Sequence, residues 1–223
     1  MCGRYSFTVS KEKVNKHFGL SLQKDLVKRY NIAPTQKAYV IANDYPKQVQ
    51  RFNWGLIPNW AKSADFGSNL INARSESVAT KSSFRMPIRK NRCLVLSDGF
   101  YEWKKYGRNK IPYRITSKNS QLMIFAGLWD EWQGVKTFTI ITTTPNEEMQ
   151  QVHNRMPVVL PTIEAQRRWL SDLPLQDALS MLKPAEDNTL KIYTVSDKVN
   201  KVDYDAPDLW KEANEPPTLF DFI

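Results

Sequence analysis

The chain has 223 residues, 41% hydrophobic and 25% charged, enough for one globular domain with a substantial core. The net charge of +9 is uneven: 23 Lys+Arg against 7 Asp+Glu put +16 on residues 1–120, whereas 9 against 16 leave −7 on residues 121–223. No apolar run approaches the ~20 residues of a membrane span, Lys11, Lys13 and Lys16 leave no room for a signal peptide, and two cysteines with two histidines make no zinc spacing. A cytoplasmic, metal-free and cofactor-free protein is therefore expected, nucleoid-associated in a bacterium, with Cys2 and Cys93 unpaired.

In chain order, Ser10 caps a helix predicted over 11–18, where Val14 and Phe18 lie at helical spacing before Gly19 ends it. Apolar runs rich in β-branched and aromatic residues predict strands at 38–42, 92–97, 112–116, 122–129 and 137–144. Thr162 caps a helix over 163–170, with Trp169 and Leu170 turned inward and Gln166 outward. Asp172 and Pro174 open a helix over 174–182 whose Leu175, Leu179 and Leu182 share a face, and a last strand covers 191–196. Many strands with peripheral helices predict an α+β protein, a single domain over residues 1–204 built on a curved, mostly antiparallel sheet or barrel. A monomer is expected. Residues 205–223 change character, being acidic and proline-containing and ending in Leu219, Phe220, Phe222 and Ile223. They read as a strap packed on the body, the alternative being a linear peptide that docks a partner such as a replication clamp.

The basic half suits a polyanion, because phosphate neutralisation releases counterions. Trp54, Trp60, Phe66, Trp103 and Tyr106 are interleaved with its cations, as in single-strand binders whose side chains stack on bases. A solvated basic surface is the plain alternative, and any one of these aromatics could equally be core.

Four polar islands could carry chemistry. In "MCGR", Cys2 is one cleavage from offering an α-amine and a thiol on neighbouring carbons, a bidentate nucleophile for an aldehyde. Gly3 leaves the backbone beside it unhindered and Arg4 sets a cation nearby. In "LINARSES", read as a strand, Asn72 and Arg74 share a face opposite Ala73 and Ser75. The amide there suits a sugar hydroxyl or carbonyl, and the guanidinium fork suits phosphate. In "SDGFYEWKK", Asp98-Gly99 reads as a turn, and Glu102 is a carboxylate flanked by three aromatics and so suited to proton transfer. A hairpin edge with Glu102 solvated or paired to Lys104 is the other reading. In "VHNRMPVVL", His153 borders a strand beside Arg155 and is a better proton carrier than His17, which sits in the lysine-rich first helix and reads as surface.

Alone each island is weak; together they form a pattern. "MCGRY", "RYNIAPTQ", "WGLIPNW", "LINARSE", "DGFYEWK" and "HNRMPVVL" resemble, in order and spacing, the motifs of the SOS-response-associated peptidase (SRAP) family, from Cys2 to about residue 200. The resemblance implies a sensor of abasic sites in single-stranded DNA that joins itself covalently to them after Met1 is removed, by its own activity if the family name is taken literally. It further implies catalytic roles for Cys2, Asn72, Glu102 and His153, ending in a thiazolidine on Cys2, with a lyase side reaction at the imine stage. Arg4, Arg74 and Arg155, with Arg85, become phosphate contacts; Asn31, Pro34 and Thr143 line the groove; Trp54 and Trp60 stack on or wedge against bases. Two rivals remain. Amidohydrolases with an N-terminal cysteine nucleophile also begin Met-Cys-Gly, and a plain single-strand binding module would leave Cys2 idle.

Overall fold

The computed structural model describes residues 2–119 and 122–213. The chain enters through β1 (Arg4–Phe7) and α1 (Lys11–Phe18), a helix started by the Ser10 hydroxyl on the Lys13 N–H and stopped by left-handed Gly19. It continues through β2 (Arg29–Ile32), β3 (Lys37–Ala42), β4 (Gln50–Trp54), α2 (Phe66–Asn69), β5 (Asn72–Arg74) and α3 (Pro87–Lys90). Next come β6 (Arg92–Val95), β7 (Gly99–Tyr106), β8 (Asn109–Ser117), β9 (Phe125–Trp132) and β10 (Val135–Thr143). The last elements are α4 (Glu147–Gln150), β11 (Met156–Pro157), α5 (Ile163–Leu170), α6 (Leu175–Ser180), β12 (Leu190–Thr194) and two 3₁₀ turns, Asp197–Asn200 and Pro207–Trp210.

Strands β10-β4-β3-β6-β9 form a barrel, because β9 also pairs with β10 and leaves no edge open. Only β4 meets β10 in parallel within it; β5 and β11 attach to the far end of β10, parallel and antiparallel respectively. A second, wholly antiparallel sheet runs β12-β8-β7-β1-β2. Aromatic rings knit the two: Tyr5 of β1 lies edge-on to Trp54 at 5.0 Å and to Phe125 at 6.0 Å, and Phe100 of β7 meets Phe125 at 5.9 Å. The expected mostly antiparallel α+β barrel is the observed architecture. At its rim Gly55 holds φ +127°, and a Cβ there would stand 2.3 Å from the Gly67 carbonyl oxygen, so only glycine lets α2 lie so close to the end of β4.

Three local expectations are corrected. The strand placed at 122–129 begins only at Phe125: Met123 and Ile124 are buried, but their backbone bonds run to distant Ser97 and Leu160 outside any strand ladder. Gln166 faces inward, not outward, since its amide donates to the Leu160 carbonyl at 2.9 Å. Its oxygen meets His17 Nε2 at 2.8 Å, which makes His17 a half-buried tether between α1 and α5 instead of a surface residue. At the C-terminal end, Asp205 accepts from the Tyr30 and Asn31 amides and pairs with Arg29. Leu209 is buried, and Ala213 donates to the Thr194 carbonyl at 3.0 Å. Residues 214–223, including Leu219, Phe220, Phe222 and Ile223, lie outside the described residues. No helix among the described residues is long and apolar enough to cross a membrane.

Candidate active site

The position of Cys2 follows from the register of β1. Arg4 pairs with Tyr101, so the chain before Arg4 comes off beside β7 just where Glu102 begins. From the other sheet, β5 sets Asn72 opposite Ile140, and the Asn72 amide donates to the Cys2 carbonyl at 2.8 Å. Asn72 Oδ1 is buried with no hydrogen-bond partner among the described residues. Cys2 itself is fully buried, its sulfur 3.9 Å from the Arg4 carbonyl oxygen. Burial first, and then the charge of Glu102, push the thiol well above its ordinary value; the positive N-terminus and the Arg4 carbonyl pull weakly the other way. The thiol is therefore neutral in this arrangement.

Glu102, only 3% exposed, lines a cavity of about 840 Å³ together with His153. His153 is carried by the turn after α4, a helix capped by the Asn146 side chain, and its own N–H bonds to the Met149 carbonyl at 2.8 Å. The Arg155 N–H donates to His153 Nδ1 at 3.0 Å, so the neutral ring carries its proton on Nε2. Cys2, Asn72, Glu102 and His153 thus converge, although they lie as far apart as 151 positions in the chain.

The residues assigned to DNA separate into two groups. Arg74 and Arg85 are exposed, and no side-chain hydrogen bond or ion pair of theirs appears among the described residues; Pro34 sits half-exposed in the turn after β2. Trp60 is 52% exposed, edge-on to Phe66 at 5.5 Å, on the wall of a small cavity it shares with Arg85. These are available to a ligand. Arg155 is half-buried and engaged: it grips both Glu76 oxygens and the Thr142 carbonyl, and those hydrogen bonds hold the Glu76 carboxyl below its usual range. Arg4 donates to Asn31 Oδ1 at 2.9 Å and the Val199 carbonyl at 2.7 Å, and its guanidinium lies 5.9 Å from the Trp103 ring centre.

Three groove assignments are corrected. Trp54 is fully buried, its indole N–H on the Ile71 carbonyl and its ring between Tyr5 and Phe138, so it is core and not a base platform. Asn31 is also fully buried; its amide donates to the carbonyls of Lys201 and Tyr204 at 2.9 and 2.8 Å, which makes it a clamp on the 199–205 segment. Thr143 is buried, with its hydroxyl 3.4 Å from the Leu182 carbonyl. The cavity walls in turn contain residues the sequence reading did not select, notably Lys104, Lys105, Lys110 and Asn200. The signal was present as the basic run "KKYGRNK" around Gly107.

The sequence profile of the SOS response associated peptidase (SRAP) family matches residues 1–202. Abasic site processing protein YoqW of Bacillus subtilis is 38% identical over 221 residues, covering 94% of this chain and 98% of that protein. Abasic site processing protein HMCES of Gallus gallus is 32% identical over 197 residues, covering 75% of this chain and 58% of that longer protein. A crystal structure of a Bacteroides thetaiotaomicron protein superposes with a TM-score of 0.85 at 31% identity, covering 95% of this chain and all of that one. With the profile spanning nearly the whole chain and relatives of this identity over most of its length, the chain belongs to the SOS response associated peptidase (SRAP) family.

Proposed function

We propose that this protein captures abasic sites in single-stranded DNA by forming a covalent crosslink through Cys2, after Met1 has been removed to free the Cys2 amine. The observation that carries the reading is the junction at Cys2: its carbonyl is held by Asn72 at 2.8 Å, and its thiol feels Glu102, which lines one cavity with His153. The relatives' names as abasic site processing proteins and the +16 charge of residues 1–120 support the substrate class.

An abasic deoxyribose opens to an aldehyde when a proton reaches its ring oxygen, the task of His153 Nε2. The Cys2 amine adds to the aldehyde carbon, and loss of water, with Glu102 as proton acceptor and donor, leaves an imine. The Cys2 sulfur then bonds to the same carbon as its proton passes to the nitrogen. The product is a thiazolidine; one water is released and no oxidant or reductant is needed. Asn72 holds Cys2 and the sugar in register, so the reacting atoms gain from proximity. Where the thiol is missing, β-elimination competes at the imine and gives lyase activity.

The test uses protein shown by mass to begin at Cys2 and an oligonucleotide carrying one abasic site. A heat-stable shifted band on a denaturing gel, absent with intact DNA and with Cys2→Ala, is the expected result. Cys2→Ala with a free α-amine should be trapped weakly and only under a reductant. An equally stable band from that variant without reductant would rule out the thiazolidine, and no band from wild type despite strand binding would reduce the protein to a binder.

A further inference from the structure

Beyond Tyr101 the outer edge of β7 loses its partner, because β1 begins only at Arg4. That edge leads from Glu102 to the tip of the β7–β8 hairpin, about 13 Å away at ~3.3 Å per residue, and forms one wall of the 840 Å³ cavity. Its side chains are Trp103, Lys104, Lys105 and Tyr106, with Lys110 across from Lys105 and Arg108 in the turn. None of the four cations has a carboxylate partner among the described residues, and Lys104 lies 5.1 Å from the centre of the Tyr106 ring. Lys105 and Lys110 are directly opposed in the antiparallel register, an arrangement that weakens a hairpin. A like-charge pair on an exposed hairpin, next to aromatic side chains and a cavity lined by Glu102 and His153, is a site for a polyanion rather than a structural solution. The cavity continues past Lys104, Gln151 and Val152 into a second groove, where Lys118 pairs with Glu148 and Lys191 with Glu212, so the cations without a carboxylate are those of the hairpin.

We propose that one arm of the single strand flanking the abasic site leaves the candidate active site along the open edge of β7, its phosphates contacting Lys104, Lys105 and Lys110. Trp103 and Tyr106 lie along this edge and offer rings to bases. The proposal rests on the DNA reading above and adds the path of the strand.

The experiment measures salt-dependent affinity by fluorescence anisotropy for wild type and for Lys104→Ala/Lys105→Ala/Lys110→Ala. Oligonucleotides carry one abasic analogue with either the 5′ or the 3′ arm cut to one nucleotide, and an intact strand serves in parallel. Loss of three single-strand phosphate contacts lowers the slope of log K against log salt by about 2. That loss should appear with one arm present and disappear when the same arm is trimmed. Lys105→Glu separates binding from folding: it places opposite charges across the hairpin, so its Tm should equal or exceed wild type while affinity falls. An unchanged slope, or a loss independent of which arm is cut, overturns the path. Lysine-dependent binding of the intact strand without any covalent capture would leave the path standing and remove the proposed chemistry; capture with lysine-independent binding would do the reverse. If deleting 214–223 tightened binding and abolished the lysine dependence, the groove would hold the acidic tail and the proposal would fall.

Discussion

Replacing Asn31 by alanine separates two roles for the residue, a groove contact and an internal clamp. In the structure Asn31 Oδ1 accepts from Arg4, and its amide serves the carbonyls of Lys201 and Tyr204, all at 2.8–2.9 Å and out of water. Two buried neutral hydrogen bonds at ~1 kcal/mol each and one charged bond at ~1.5–3 kcal/mol put the loss at roughly 3–5 kcal/mol. For a chain of this size, at ~2–4 °C per kcal/mol, Tm should fall by about 10 °C. Because Arg4 loses its partner as the 199–205 segment loosens, the entry of β1 and hence Cys2 shift as well. The initial rate of crosslink formation, measured well below Tm, should fall with the stability. Thermal melting, strand binding and a timed denaturing gel on the same preparation decide it. A Tm within about 1 °C of wild type together with weakened strand binding would refute the clamp and return Asn31 to the groove.

The two tryptophans first read as stacking candidates should part company. Trp54→Ala empties a core site and should cost ~3–5 kcal/mol in urea unfolding, whereas Trp60→Ala should leave unfolding unchanged and weaken strand binding by ~1–3 kcal/mol, the value of one stacked base. Cys2 and Cys93 both hold their protons more tightly when folded, chiefly through burial. Their contribution to stability is present below the unfolded value of 9.0 and is lost as pH rises above it, by about 1.4 kcal/mol per pH unit for each thiol. Urea midpoints between pH 9 and 10 should show this slope, and Cys93→Ala should roughly halve it whatever it does to the baseline. Glu76→Gln removes the charge that occupies Arg155; strand binding should tighten, with a salt slope steeper by up to about 0.7, one further phosphate contact. Unaltered binding would mean that Arg155 serves only to fix the Glu76 loop.

Much of the fold was legible because its signals are local. Ser10 and Gly19 bound α1, and Thr162 starts α5 where its hydroxyl meets the Ala165 N–H. The long barrel strands announce themselves by β-branched runs. What failed was orientation. Whether Trp54 or Trp60 faces water depends on which elements cover it, and the two sit six residues apart in one motif with opposite fates. Asn31 and Arg4 look like ligand contacts in sequence because each is polar in a motif-like run. Only the return of residues 199–205 over β2 supplies the carbonyls that occupy them. Short strands such as β1, β5 and β11 take their register from partners far away in the chain, so periodicity could not locate their ends.

The same long-range pairing explains why a buried, proton-holding thiol suits the proposed chemistry. A thiolate at Cys2 would be expensive beside Glu102 in a dry site, which fits the proposed order in which the amine is the first nucleophile. Once that amine has become a protonated imine, a positive charge stands on the nitrogen of Cα, the carbon next to the one that bears the thiol, and a nearby cation lowers a thiol pKa. The sulfur is thereby activated at the moment its electrophile exists and stays inert before. The register of Arg4 against Tyr101, which brings Cys2 off the sheet beside Glu102, and the Asn72 bond that fixes its carbonyl are what tie that sequence of events to the fold.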